Sequence, residues 1–414
     1  MTIDTSANKT KALMIDLTGL DVDAAVNKVI DHAVKIAASD LFLVTNEDYV
    51  AVHARALGLV QRLGIAARDE GMRYLSHVKA MAGMDVGERR RPQDGRLMHE
   101  TGEGQIVDLR ISVIPTMYGE DFAIRILRRE ADLYELDKLG MHREQYQIAT
   151  NMLETPSGMI LCTGPTGSGK TATLYASLQR LNDGRKKINT IEDPIEFSVE
   201  GLRQSQINNK IGVSFSELLR SVMRQGPDII MVGEIRDPET AEIAVRAANS
   251  GHLVFSTLHA PVAAGAIQSM RAFGINSHFL SSALRGVMSQ RLARTLCTAC
   301  KVSFDLSAAP HTFDEVRKWL APGEGNILYA PKGCEKCKFQ GYDGRTGVYE
   351  VMQITKDIRS MIADSRPTRD IRKRAIDEGM MEFRHAALLK VARGITSTEE
   401  VFRVIPAEHL IMDD

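Results

Sequence analysis

The sequence predicts an α/β protein: a mainly parallel sheet flanked by helices, preceded by a small α+β domain and carrying a loop-rich, cysteine-bearing stretch. Three observations carry that prediction. From Gly140 to roughly Leu292, apolar runs of strand length alternate with helical spacings, the pattern of a sheet buried on both faces. Inside that stretch the apolar run Met159 to Cys162 leads directly into a glycine-rich loop and then a helix. Before it, short alternating stretches accompany two helical patterns.

Taken in order, residues 1–20 read as a flexible tail. From Asp21 to about Ala38, Val22, Ala25, Val26, Val29, Ile30, Ala33, Val34 and Ile36 recur at helical spacing, an amphipathic helix that stops near Ser39-Asp40. Alternation around Leu41 to Val44, Val50 to His53, Ile106 to Val113 and Phe122 to Leu127, with a helical stretch from Arg73 to Met84, completes a domain over 21–130. A linker over 131–139 follows. The main domain then covers 140–414, including a tetracysteine subdomain over 295–342 and a helical region over 353–414. No fixed-period repeat or low-complexity segment interrupts it.

The strongest motif is Gly164-Pro165-Thr166-Gly167-Ser168-Gly169-Lys170-Thr171, a full match to the phosphate-binding loop between a strand and the helix Ala172 to Leu181. Glycines let successive backbone N–H groups curl around an anion, and the helix N-terminus turns unsatisfied amides toward it. Lys170 is placed to reach the β and γ phosphates of a nucleotide and Thr171 to bind magnesium. A glycine-rich turn matching by chance is the bland alternative. A second apolar strand, Ile229 to Val232, ends in Gly233-Glu234, which puts Glu234 at the carboxyl edge of the sheet, where ligands of open α/β folds bind. There it can orient water toward the γ phosphate; a solvated strand-end carboxylate is the alternative. The residue before Glu234 is glycine, not the usual magnesium-side aspartate.

Between these motifs Ile191-Glu192-Asp193-Pro194-Ile195-Glu196 ends a strand in three acids, which suit either metal and water or a surface turn set by the proline. The run from Gly251-His252 to Thr257-Leu258-His259 reads as another buried strand, and each histidine can be functional or a structural hydrogen bonder. Cys297/Cys300 and Cys334/Cys337 form two close pairs, the corners of one tetrahedral zinc site, with a redox dithiol or plain buried cysteines as alternatives.

Bulk properties narrow the class. The chain has 414 residues, room for two or three domains, and its formal charge of -1 argues against a general nucleic-acid coat or an electrostatically bound membrane surface. No run of about 18 apolar residues is present to span a bilayer, and Met1 to Thr10 lack the apolar stretch of a secretory signal, so a cytoplasmic location is expected.

From about Ser39 to Met352 these motifs together resemble the type II secretion and type IV pilus ATPases. The loop at 164–171, the acidic box at 191–196, Leu218 to Gln225 leading into Pro227 to Asp237, and the histidine box at 251–259 carry the likeness. The resemblance implies a RecA-like P-loop core with a small PAS-like amino-terminal domain, ATP, magnesium and zinc as cofactors, and a cytoplasmic motor that drives assembly of pilus or pseudopilus subunits. It implies Glu234 as the catalytic glutamate, Glu192 and Glu196 as organisers of metal and water, and His252 and His259 as couplers of the nucleotide state. Glycine before that glutamate is normal in the family. Arg110 and Arg125 match arginines that approach the phosphates; surface ion pairing is their alternative.

Cys297-Thr298-Ala299-Cys300, Cys334-Glu335-Lys336-Cys337 and Gly341 to Glu350 resemble the assembly and secretion branch, since the retraction branch generally lacks these cysteines. The expected assembly is a homo-oligomeric ring, a hexamer by resemblance, acting on an inner-membrane platform protein without nucleic acid. The rival readings are an ATP-sensing module with little hydrolysis, a retraction-type motor and a nucleic-acid translocase. Three departures stand out: Phe42 replaces a histidine of the family's amino-terminal element, Ala260-Pro261-Val262-Ala263 replaces Thr-Asn-Asp-Ala, and Gly226 replaces an aspartate. The extra amino-terminal docking domain of many relatives is expected to be missing.

Overall fold

The structure is a computed structural model and describes residues 14–17, 19–128 and 135–410. Most of the expected tail (1–20) and the first part of the expected linker (131–139) lie outside the described residues. Contacts divide the chain into two compact units, the first made of the amino-terminal residues with 332–341, the second of the remainder.

In the first unit, helix α1 (Val22–Lys35) is capped by the Asp21 carboxylate, which accepts from Ala24 N at 2.8 Å. Its buried stripe is the one the spacing predicts: Ala25, Val26, Val29, Ile30, Ala33 and Val34. It packs, with α2 (Arg68–Met81), on one face of a six-stranded antiparallel sheet. The strands are β1 (Ala38–Thr45), β2 (Tyr49–Ala56), β3 (Leu59–Ala67), β4 (Gln93–Glu100), β5 (Ile106–Thr116) and β6 (Gly119–Arg128), in the order β3-β2-β1-β6-β5-β4. Strands β1, β2, β5 and β6 fall on the expected alternating stretches. Strands β3 and β4 were not legible there, because each pairs only one neighbour at a sheet edge and leaves half its length exposed.

In the second unit a seven-stranded sheet runs β15-β12-β7-β11-β10-β8-β9. Its members are β7 (Gly158–Thr163), β8 (Ile188–Glu192), β9 (Leu202–Gln206), β10 (Ile229–Val232), β11 (Leu253–Leu258), β12 (Leu284–Leu296) and β15 (Tyr342–Gln353). All neighbours are parallel except β12 and β15. Strands β7, β8, β10 and β11 are buried at every position, since helices cover both faces. On one side lie α5 (Phe215–Met223), α6 (Pro238–Asn249), α7 (Gly265–Ala272) and α8 (Ser277–Ala283), packed on Met159, Leu161, Ile230 and Val232. On the other lie α3 (Arg143–Leu153) and α4 (Lys170–Leu181), packed on Ile160, Cys162, Met231 and Phe255. A ribbon of β13 (Val302–Asp305) and β14 (Ile327–Ala330) and four helices, α9 (Lys356–Ala363), α10 (Thr368–Asp377), α11 (Phe383–Ala392) and α12 (Thr398–Val404), complete the unit.

The carboxyl-terminal helices are fastened to β12 by charge. Fully buried Glu400 accepts from Arg294 N at 2.9 Å, Nε at 2.9 Å and Nη2 at 2.7 Å, and from Arg403 Nε at 2.7 Å. Burial pushes the Glu400 carboxyl up, but the bonds from Arg403 and Arg294 outweigh it and hold the group below its ordinary value. A carboxyl depressed on folding contributes stability that is complete above its unfolded pKa, about 4.3, and is lost as pH falls through the folded one. Glu400→Gln is therefore expected to lower stability by about 3 kcal/mol at pH 7 in urea unfolding. Its difference from the wild type should narrow below about pH 4.

Candidate active site

The parallel register brings several loops to one edge of the sheet. Strand β7 pairs with β11 so that Thr163, the last residue before the phosphate loop, lies opposite Leu258, the last before His259. Strand β10, the next neighbour of β11, delivers Glu234 to the same edge. Hydroxyl groups tie these ends together. Thr163 Oγ1 donates to Ala260 O at 2.7 Å and accepts from Ala260 N at 2.8 Å. Ser256 Oγ donates to Val232 O and Thr257 Oγ1 to Gly233 O, both at 2.8 Å. The His259 loop is also held from β12 and β15: Arg291 Nη2 donates to Pro261 O at 2.8 Å, and Glu350 accepts from Ala263 N at 3.0 Å. Burial pushes the Glu350 carboxyl up.

The loop itself is shaped by what lies behind it. Gly164 has φ 144°, and a Cβ there would stand 2.5 Å from Gln290 O on β12. Gly169, with φ 88°, caps α4, and a Cβ there would crowd the Gln290 amide at 3.2 Å. Lys170 Nζ folds back onto the loop, donating to Gly164 O at 2.8 Å and Pro165 O at 3.1 Å. Burial lowers the Lys170 ammonium pKa, with Arg291 adding to the effect, and nearby Cys162 and Glu234 oppose it. Burial pushes the Cys162 thiol up to about 12, so Cys162 is an inert apolar residue under the loop. The Ser168 hydroxyl is buried with no hydrogen-bond partner among the described residues. A ring of glycine amides, a twelve-residue helix pointing its N-terminus at them, a half-enclosed ammonium and an orphaned hydroxyl fit a nucleotide phosphate chain.

Glu234 is largely enclosed. Its Oε1 pairs with Arg236 Nη2 at 2.5 Å and its Oε2 lies 3.9 Å from His259 Nε2. Burial and the Lys170 and Arg236 charges lower the His259 pKa against the pull of Glu234, which favours a neutral imidazole at pH 7. Arg236 also reaches Asp193 Oδ2 at 3.8 Å. Lys170, Glu234 and His259 thus converge, and the arrangement can hold an anion, a water and a proton acceptor together.

The other expected residues sit differently. Glu192 is buried and already engaged by the Tyr175 hydroxyl, by Thr190 Oγ1 and by Gln204 Nε2 at 3.1 Å. Glu196 is exposed beyond the cis Asp193–Pro194 bond. His252 lies apart from His259. It precedes β11, seven positions from His259 and so roughly 20 Å away along the strand, and its Nδ1 lies 3.0 Å from Ala247 O at the end of α6. In the first unit, Arg110 and Arg125 face each other in register on β5 and β6, on the face away from α1 and α2. Arg125 pairs loosely with Asp40 at 3.7 Å.

The sulfurs of Cys297, Cys300, Cys334 and Cys337 all lie within 4.8 Å of one another. Cys334 and Cys337 Sγ are 3.8 Å apart, the edge of a tetrahedron with metal bonds of about 2.3 Å. Cys337 Sγ also accepts from Cys334 N and Gly341 N, both at 3.2 Å, the support a thiolate needs. The donor set fits zinc. Sequence reasoning missed Gln290, Arg291, Glu350 and Tyr175, buried polar residues within strands or a helix whose only advance signal was a polar break in an apolar run.

Gly164→Ala, which removes no hydrogen-bonding group, is expected to destabilise the protein by about 2 kcal/mol through overpacking against β12, and to weaken ATP binding, measured by urea unfolding and nucleotide titration.

A family model described as "Type II/IV secretion system protein" matches residues 20–403. Among similar proteins, the "Type II secretion system protein E" of Dickeya dadantii is 40% identical over 383 residues, covering 92% of this chain and 75% of its own length. The "Type II secretion system ATPase E" of Vibrio cholerae is 41% identical, with 92% and 74% covered. The "Type IV pilus assembly ATPase PilB" of Acinetobacter baylyi is 40% identical, with 92% and 65% covered. Among solved structures, the Legionella pneumophila ATPase DotB superposes with a TM-score of 0.70 at 18% identity, covering 94% of this chain and 97% of its own, a likeness of fold. With the phosphate loop, the carboxylate and the histidine on one sheet edge, and relatives of this similarity, the chain belongs to the type II/IV secretion system ATPase family.

Proposed function

We propose that this chain is an ATP-hydrolysing motor that works on the cytoplasmic side of a type II secretion or type IV pilus assembly machine. The observation that carries the reading is the convergence of Lys170, Glu234 and His259 at the carboxyl edge of the parallel sheet, at the mouth of a complete phosphate loop. Main-chain amides of Gly167 to Lys170 and the Lys170 ammonium grip the β and γ phosphates, which replace the loop carbonyls that Lys170 now bonds. Thr171 binds the magnesium ion. Glu234, released from Arg236, orients the attacking water, and neutral His259 completes its hydrogen bonding. Arg110 and Arg125 supply positive charge to the leaving phosphates from the amino-terminal unit of this chain or of a neighbour in a ring. Glu192 shapes the acidic loop from beneath through Tyr175 and Gln204, and Glu196 is its solvent-side companion for metal or water.

Cys297, Cys300, Cys334 and Cys337 hold one structural zinc, which staples two loop segments. A machine at the inner membrane is engaged through a platform partner, and no helix among the described residues is long and apolar enough to cross a membrane. ATP binds closed and open arrangements differently, and cycling between them around a homo-oligomeric ring, with a hexamer as the expected form, transmits force to pilin-like subunits.

Glu234→Gln should bind magnesium-ATP like the wild type while phosphate release falls by about 100-fold or more. Equal and negligible rates in both proteins would remove the motor and favour a nucleotide sensor; turnover that rises with DNA would favour a translocase. Metal analysis should find one zinc per chain, lost in the double variant Cys334→Ser/Cys337→Ser together with several degrees of melting temperature.

A further inference from the structure

Strand β12, behind the phosphate loop, carries an amide that the reaction above does not use. Gln290 is fully buried on this strand, the parallel neighbour of β7, and its Nε2 donates to Ser168 O at 2.9 Å. In a trans peptide the C=O and the following N–H point in opposite directions. A hold on Ser168 O from the β12 side therefore turns the Gly169 N–H away from β12, toward the open side of the loop. That is where a phosphate cradle needs a donor. The flanking groups bond elsewhere, Ser168 N to Pro165 O at 3.2 Å and Gly169 O to Thr173 N at 3.1 Å, which leaves Ser168 O to Gln290.

Two further observations bear on the same spot. Gln290 Oε1 and Ser168 Oγ are both buried without a hydrogen-bond partner among the described residues. A buried amide that satisfies only one end is an expensive choice for simple packing, because a methionine or leucine would fill the space without an orphaned acceptor. Gly164 and Gly169 both close against Gln290, one on its backbone carbonyl and one on its side-chain nitrogen, so the loop is moulded on this residue at both ends.

We propose that Gln290 is a positioning residue of the phosphate loop, presetting the Ser168–Gly169 peptide so that the Gly169 N–H faces the bound phosphates; this rests on the loop being the ATP site. Gln290 touches no phosphate itself. Its effect is on ground-state and transition-state binding alike, because the amide it aims contacts a phosphate in both.

The test compares wild type, Gln290→Met and Gln290→Glu for binding of ADP and ATP with magnesium. Gln290→Met fills the same volume without a donor and should bind ADP at least about tenfold more weakly, the scale of one hydrogen bond to a charged group. Gln290→Glu separates positioning from packing. Its carboxylate repels Ser168 O at pH 8, whereas the carboxylic acid donates as the amide does. Its ADP affinity relative to wild type should therefore climb toward unity as pH falls from 8 to 6, and the ratio cancels the titration of the nucleotide. Acid rescue is a signature that loss of packing cannot produce, so it decides the matter even where Gln290→Met is less stable. ADP binding by Gln290→Met within about twofold of wild type, or Gln290→Glu affinity still about tenfold below wild type at pH 6, overturns the inference. If either occurs while Lys170→Ala abolishes binding, the ATPase reading stands; if the wild type binds neither nucleotide, that reading falls and this one with it.

Discussion

The phosphate loop closes directly against β12: a Cβ at Gly164 would stand 2.5 Å from Gln290 O, and one at Gly169 would crowd the Gln290 side-chain nitrogen at 3.2 Å. That close approach sets the height of the loop above the sheet edge, and the remaining functional groups are arranged to match it. Strands β7 and β11 end level, at Thr163 and Leu258, while β10 ends two residues earlier at Val232, opposite Ser256, so that the Gly233-Glu234 turn lies beside the last residues of β11. Where the ladders run out, the carbonyls of Val232, Gly233 and Ala260 are taken by Ser256, Thr257 and Thr163, hydroxyls from the neighbouring strands. Each loop at the site is thus held by the strand beside it, in addition to the burial of Ile235 and Ala263 in the core.

Charge does a related job deeper in the second unit. Glu350 and Arg291 fix the loop after His259, and Glu400 joins α12 to β12. Buried Lys390 donates to Gly140 O at 2.7 Å and Thr346 Oγ1 at 3.1 Å, and burial brings its ammonium down to about 8. Such groups add little net stability over apolar replacements, but an unpaired buried charge is so costly that each admits one arrangement of its neighbours. In the first unit Lys79 serves likewise, joining Glu120 Oε1 and Glu88 O, both at 2.7 Å. This fixes the start of the loop that carries Arg89, Arg90 and Arg91.

Legibility in the sequence followed the polarity of what is buried. Helix α1 and strands β7, β10 and β11 bury apolar side chains, and their period or continuous run is visible without a structure. Strand β12 buries Ser289, Gln290, Arg291 and Arg294, and β15 buries Glu350, so neither shows an apolar pattern although β12 is the longest strand described. His252 and His259 look equivalent as ends of one motif. A strand between them sends them to opposite edges of the sheet, and only His259 meets Glu234.

The order of residues alone determined that a strand, a glycine loop and a helix N-terminus follow one another, and with them the capacity to grip phosphate, because that chemistry is local. It also determined the pairing of cysteines at metal-ligand spacing. Which carboxylate joins Lys170, which histidine stands beside it and which buried amide steadies the loop were decided by the tertiary structure. These depend on strand order in the sheet, where β12, β7, β11 and β10 become neighbours across more than a hundred residues of chain, and no local pattern encodes that adjacency.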